Sequence, residues 1–179
     1  MQAPEYIETE RLILRRPLPA DAEALFTRYT SDPDVTRYLG WPRHQSIEQT
    51  RAFLEFSDSS WANWPGGPYV IESRASGDIL GGTGFGFETP HLAVVGYVLA
   101  RDAWGYGYST EALKALVGVS PEIGIRRLYA CCHPAHKASA RVLEKCGFVL
   151  EGTLQRPSAF PNIDNAGPND VLCYARVFG

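Results

Sequence analysis

The chain changes its hydrophobic period part-way along. In the first third, apolar residues recur at helical spacing: Ala22, Leu25, Phe26 and Tyr29 mark a helix within Asp21 to Tyr29. Ser31-Asp32-Pro33 predicts a short second helix with Pro33 in its first turn. Ser46 followed by Gln49 resembles a capping box and opens a third helix carrying Phe53, Leu54, Phe56 and Trp61. Pro65-Gly66-Gly67-Pro68 ends it. Ahead of these helices, Ile7 to Arg15 alternates loosely up to Pro17 and predicts one strand.

From Tyr69 onward the strand period dominates. Tyr69 to Ser73 predicts a strand, Ala75 to Asp78 a turn, and Ile79 to Phe87 a glycine-rich strand. Val94 to Leu99 is a near-continuous apolar run, as expected of a strand covered on both faces. A helix starts at about Ser109, a strand spans Leu128 to Cys132, and another helix spans His136 to Cys146. Gly147 then Phe148 reads as a helix stop with its hydrophobic contact. Phe148 to Leu154 and Val171 to Val177 finish the pattern as strands. The fold class is therefore mixed α/β (α+β), with helices ahead of a central sheet of about seven strands.

Composition narrows the function classes. The chain has 179 residues, of which 45% are hydrophobic and 12% aromatic, enough for the core of one domain over residues 1–179. A net charge of −3 argues against a nucleic-acid or anionic-membrane surface. No apolar run is long enough to span a bilayer. Met1 to Glu5 lacks a basic segment followed by an apolar one, so no signal peptide and a cytoplasmic location are expected. Cys131, Cys132, Cys146 and Cys173 read as reduced, mostly buried thiols. The first two would point to opposite faces of a strand, so Cys131-Cys132-His133 with His136 is not expected to bind a metal.

The most informative segment joins the buried strand to a Gly-x-Gly turn and then to a helix: Leu99 through Gly105 and Gly107 to Leu113. Such glycines let a ligand approach the backbone, and the first-turn N–H groups of a helix favour an anion. A pyrophosphate meets both conditions, although the same glycines also serve a plain tight turn. Thr110 stands where a dinucleotide-binding fingerprint needs its third glycine, and no Gly-Lys-Ser/Thr follows, so both nucleotide signatures are absent. Glu111 would repel a phosphate unless it points away. In the later helix, Ser139 lies one turn before Leu143, beside the apolar stripe, where it either bonds its own backbone or faces a site. Lys137 and Arg141 are solvated charges or meet an exposed phosphate.

Together these segments resemble the GNAT superfamily of acetyl-CoA-dependent N-acyltransferases, most of all its RimJ/RimL-type branch. Four stretches carry the resemblance in the family's order: Thr9 to Arg15 (TERLILR), Ser31 to Tyr38 (SDPDVTRY), Trp104 to Leu113 (WGYGYSTEAL) and Ser139 to Phe148 (SARVLEKCGF). The resemblance implies a mixed, mostly antiparallel sheet with helices on both faces and two splayed central strands. It implies acetyl-CoA in the wedge, its pyrophosphate on Trp104, Gly105, Tyr106, Gly107, Tyr108, Ser109 and Thr110, and its pantetheine arm along Val98, Leu99 and Ala100. His136 and Ser139 would line the far side, with Ser139 as proton donor and no metal. The acceptor would be a primary amine on a protein N-terminus or small molecule, bound by Tyr38, Trp41 and Phe85, with Trp61, Trp64 and Phe87 also in reach. The protein would be a monomer or homodimer.

Several positions depart from the family pattern. Asp102 stands where the wider motif has Gln or Arg, His136 where the helix carries Asn, Val94 where many relatives place a Glu, and Leu143 where others have a tyrosine acid. Without the Glu, the remaining candidates for a base are His91, His136, Glu88, Glu151 and Asp170. A low-pKa amine suits such a site, since an α-amine of pKa about 7.7–8.0 is already partly neutral at pH 7. Two functions follow: amine acetylation, or a non-catalytic acyl-CoA-binding module motivated by the missing base. A hydrolase is disfavoured, since there is no Gly-x-Ser-x-Gly elbow and no Ser/His/Asp set stands out.

Overall fold

The computed structural model describes residues 1–163 and 168–179. Among them, eight strands form one sheet: β1 (Tyr6–Glu8), β2 (Leu12–Arg15), β3 (Pro68–Ser73), β4 (Ile79–Thr89), β5 (Leu92–Leu99), β6 (Arg127–Cys132), β7 (Val149–Ala159) and β8 (Pro168–Val177). Their order is β1-β2-β3-β4-β5-β6-β8-β7. Every neighbouring pair is antiparallel except β5 with β6. The helices are α1 (Ala22–Leu25), which runs into a π-helical turn over Phe26–Thr30, α2 (Pro33–Thr36), α3 (Ile47–Asn63), α4 (Tyr108–Val119) and α5 (Lys137–Lys145).

The sequence-predicted elements are present, with two local differences. Ile7 to Arg15 is a hairpin of two strands, which accounts for the eighth strand. Its turn contains neither Gly nor Pro. The Thr9 side chain makes it instead, accepting from Leu12 N at 3.0 Å while Thr9 N donates to Leu12 O at 2.9 Å. The capping box of α3 does not form: Ser46 is the N-cap but its side chain makes no cap bond, and Gln49 Oε1 accepts from Gln45 N instead. Asp32 does cap α2, accepting from Asp34 N and Val35 N, and Pro33 opens that helix.

Alternation along the strands sends side chains to two cores. Tyr69 and Ile71 of β3 join the larger core with Leu113 and Leu116 of α4 and Leu143 of α5. Val70 between them joins the smaller core with Leu25, Val35 and Leu54 of α1 to α3. The helices therefore cover both faces, as period-2 patterning requires. Gly147, at φ +78°, stops α5, and Phe148 N closes back on Leu143 O at 3.1 Å.

The parallel pair positions the site. β5 and β6 are in register only over Leu92–Arg127, Ala93–Leu128 and Val94–Tyr129. Beyond these, β5 stays with β4 as far as Leu99–Gly81, and β6 stays with β8 as far as Cys132–Leu172. The two strands splay, so backbone facing the gap from residues 95–99 has no ladder partner on β6.

Candidate functional site

The turn between β5 and α4 lies at the end of this wedge. Gly107 is the N-cap of α4 at φ +82°, and Gly105 has φ +84°, conformations that suit glycine. Glu111 N, bonded to Gly107 O at 3.1 Å, is the first amide in the helical ladder. The amides of Tyr108, Ser109 and Thr110 precede that ladder and lie at the positive end of the helix dipole. Trp104 and Tyr106 are exposed, and the Trp104 indole donates to Leu99 O at 2.8 Å.

Glu111 points away from this cradle. Its carboxylate accepts from Thr9 Oγ1 at 2.7 Å, Arg11 N at 2.8 Å and Arg11 Nε at 2.7 Å. Burial pushes the Glu111 carboxyl up, but these hydrogen bonds outweigh it and hold the group below the ordinary range. Arg11 also donates to Tyr106 O at 3.0 Å and lies over the Tyr108 ring at 4.7 Å. The β1–β2 turn thus clamps the glycine turn. Asp102, one of the departures from the family pattern, is held by Arg28 through two bonds of 3.0 Å.

Across the wedge, Ser139 in the first turn of α5 meets Tyr97 of β5. The Tyr97 hydroxyl lies 2.9 Å from both Ser139 O and Ser139 Oγ. Burial pushes the Tyr97 phenol up, more than the Ser139 bond lowers it, so it stays protonated. His136, the N-cap of α5, stacks on Tyr38 at 4.9 Å, and His133 stacks on Tyr38 at 5.1 Å. Burial, reinforced by nearby His133, lowers the His136 pKa and keeps its imidazole neutral.

A cavity of about 680 Å³ opens beside these groups. It brings together Tyr38, Trp41, Phe85, Val98, His136 and Ser139. Of these, Phe85 is buried in the larger core against Phe87. Trp61 is likewise a core residue, and Trp64 stacks on Phe87 at 5.8 Å. Leu99 and Ala100 are buried at the strand end leading to the turn. Of the five candidate bases, His136 alone lines the cavity. Glu88 accepts from Tyr129, Glu151 is paired with Arg127, His91 bonds Gly124 O, and Asp170 has a partner elsewhere.

Sequence reasoning missed three features here. Tyr97 sits 42 residues from Ser139, and no local pattern joins them. His44 lines the cavity and bonds Thr50 Oγ1 at 2.8 Å, and burial lowers its pKa too. Asn162 donates to Thr36 O at 2.8 Å and Trp41 O at 2.9 Å and accepts from Arg43 N at 2.8 Å. It fastens the segment after β7 to the loop bearing Trp41. The polar, Gly/Pro-containing composition of Asn162 to Asn169 predicts a loop near the acceptor mouth, although not these bonds; residues 164–167 of it lie outside the described residues. As opposite strand faces require, Cys132 is buried and Cys131 exposed. The Cys131 and Cys173 thiols lie 3.1 Å apart, and all four cysteines are free. No group of three metal-ligating side chains forms, and no helix is long and apolar enough to cross a membrane, among the described residues.

Residues 11–149 match the acetyltransferase (GNAT) domain family. The chain belongs to the GNAT acetyltransferases. It is 32% identical over 174 residues to YoaA of Bacillus subtilis, named as an uncharacterized N-acetyltransferase, covering 96% of each chain. Two solved GNAT structures share its fold. One is the microcin self-immunity acetyltransferase MccE with acetyl-CoA and AMP, at TM-score 0.86 and 25% identity over 98% of this chain and 97% of that one. The other is RimL, a ribosomal-protein α-N-acetyltransferase, with coenzyme A, at TM-score 0.85 and 25% identity over 97% and 98%. The RimL likeness agrees with the RimJ/RimL-type branch suggested by the four sequence stretches.

Proposed function

We propose that this GNAT protein, one domain over residues 1–179, moves an acetyl group from acetyl-CoA to a primary amine. The observation that carries the reading is the wedge. β5 separates from β6 after Val94, with open helix-start amides at one end and a Tyr97–Ser139 pair across from it. Its residues fit the co-substrate: a Cβ built at Gly105 meets nothing within 4 Å, leaving room for a phosphate against the backbone. MccE and RimL, which bind acetyl-CoA and coenzyme A, support the same reading.

Acetyl-CoA supplies a thioester carbonyl to an attacking amine. The amides from Gly105 to Thr110 hold the pyrophosphate, Trp104 N being bonded to Arg101 O at 3.2 Å, and the β5 backbone facing the wedge up to Leu99 pairs with the pantetheine arm as an added strand would, Ala100 N and O being bonded to Leu80 O and Ala103 N. A backbone N–H near Leu99 donates to the thioester oxygen as negative charge develops there. Ser139 gives its proton to the departing thiolate, and the Tyr97 hydroxyl, which donates to Ser139 O and lies 2.9 Å from Ser139 Oγ, holds the serine in place. His136, neutral and lining the cavity, accepts the proton that the amine must lose.

Calorimetric titration with acetyl-CoA, with free CoA and ATP as controls, tests the first half. Micromolar binding with ATP much weaker is the expected result, and no binding ends the proposal. Amine-dependent CoA release tests the second half. Binding without turnover of any amine would identify a sensor. Once an acceptor is found, Ser139→Ala and Tyr97→Phe should each lower kcat roughly tenfold at unchanged KM. The effect is modest because a thiol of pKa about 8.5 leaves with little help. The double variant should be no slower than the worse single one.

A further inference from the structure

The cavity has a floor almost without side chains. On the sheet face toward α1 to α3, the cross-strand pairs of β4 and β5 are Gly82–Val98, Gly84–Gly96 and Gly86–Val94. Four of these six residues are glycine. Gly96 is exposed, and a Cβ built on it meets nothing within 4 Å. A Cβ on Gly82, Gly84 or Gly86 would instead meet Tyr29 Oη at 3.0 Å, Pro68 Cα at 2.6 Å or Val94 Cγ1 at 2.9 Å, so the open part of the floor is the backbone at Gly96, which admits a planar group.

The walls are aromatic. Tyr29, Tyr38, Trp41, Phe53, Phe56 and Phe160 line the space, and Phe56 is 62% exposed. Among the described residues lining the cavity, none is Asp, Glu, Lys or Arg. Two histidines, His44 and His136, complete the lining, and burial keeps both toward the neutral form. A polyamine entering this space would find no carboxylate partner for its second ammonium among the described lining residues, which is costly away from water. Rings also attract cations over their faces, so a polyamine is the competitor that decides the question.

We infer that the acceptor class is a primary amine carried by a flat aromatic group with no second cationic centre, lying between the open backbone at Gly96 and the aromatic walls. The inference rests on the acetyl-transfer reading above. A free arylalkylamine and a peptide beginning with an aromatic residue share this chemistry. The ring stacks in the cavity, the amine reaches the wedge beside Ser139, and the uncharged lining favours the neutral amine that attacks.

The test is the initial rate of CoA release at saturating acetyl-CoA with four acceptors: 2-phenylethylamine, a phenylalanine-led tripeptide, glycinamide and spermidine. At least one aromatic acceptor should exceed glycinamide and spermidine in kcat/KM by at least tenfold, and the better of the two identifies the source. Gly96→Leu should lose at least thirtyfold with that acceptor while titrating acetyl-CoA as the unaltered protein does. The floor has room for the new side chain, so the chain should still fold. Spermidine or glycinamide turned over as well as both aromatic amines overturns the inference and leaves acetyl transfer standing. An unchanged aromatic rate in Gly96→Leu overturns it as well. Acetyl-CoA binding with turnover of none of the four overturns both the inference and the amine-acceptor reading.

Discussion

The glycine turn and the acceptor cavity flank the same wedge and are built in opposite ways. The turn is one contiguous stretch, Trp104 to Thr110, and it offers main-chain amides. The cavity draws residues from the π-helical turn after α1, the Trp41 loop, α3, β3 to β6, α5, β8 and Phe160. A pyrophosphate is the same in every acyl-CoA, so glycine and a helix start suffice to hold it. An acceptor must be distinguished from other amines, and that takes a shaped set of side chains. On the proposed reading the turn serves the acetyl donor, while the cavity would select the acceptor.

The largest expected effect breaks the turn alone. Gly107→Val puts a β-branched residue at φ +82° and a side chain where the phosphate would lie. Its Cβ would meet only Arg11 Nη2, at 3.7 Å, so no clash with the protein prevents folding. The backbone cost is of order 1–2 kcal/mol. Acetyl-CoA affinity should fall at least a hundredfold by calorimetry, with the folded circular-dichroism spectrum retained. Unchanged affinity would show that Gly107 only makes a turn.

The same contrast explains what could be read from the sequence. An apolar strand, two glycines and a helix start are local signals, so the path from Val94 through the turn into α4 was legible residue by residue. So was the α5 stop at Gly147. The cavity was not, because its residues meet only after the sheet closes. Tyr38 and Trp41 could be named by resemblance, but His44, Tyr97 and the bonds of Asn162 had no local pattern to mark them. Phe85 has both roles within one strand: period-2 alternation places it with Phe87 on the side of the larger core, and it also lines the cavity. The β1–β2 turn was read as continuous strand because a threonine side chain, not a glycine, makes it.

A second prediction sharpens the contrast by disturbing the turn from outside. Arg11 bonds Glu111 and Tyr106 O and covers the Tyr108 ring, yet its charge is already matched by Glu111. It therefore acts as a positioning residue for the turn. Arg11→Ala should raise KM for acetyl-CoA about tenfold, or about 1.4 kcal/mol, with kcat and acceptor KM unchanged. Arg11→Lys should recover little, because an ammonium cannot reproduce the guanidinium fork. Acetyl-pantetheine, which lacks the pyrophosphate, should be used equally well by Arg11→Ala and the unaltered protein. A loss with acetyl-pantetheine as large as with acetyl-CoA would make Arg11 merely structural.

The smallest effect belongs to the cavity side and is read through pH. His44 and His136 have folded pKa values lowered by burial from an ordinary 6.5. As pH falls through 6.5, the unfolded chain takes up protons that the folded chain refuses, so stability drops. Carboxylates held low in the folded state, such as Glu111, also lose stability in acid, but only as pH approaches their ordinary 4.5. The window from pH 7.5 to 5.5 therefore isolates the histidines. His133 and His136 both stack on Tyr38, and Thr50 bonds His44, so both rings sit among partners that a glutamine can partly keep. The melting temperature should fall between pH 7.5 and 5.5, and the fall should shrink in a His44→Gln, His136→Gln double variant. An equal fall in the variant would place the acid-sensitive groups outside the cavity and remove the titration difference between the two sides of the wedge.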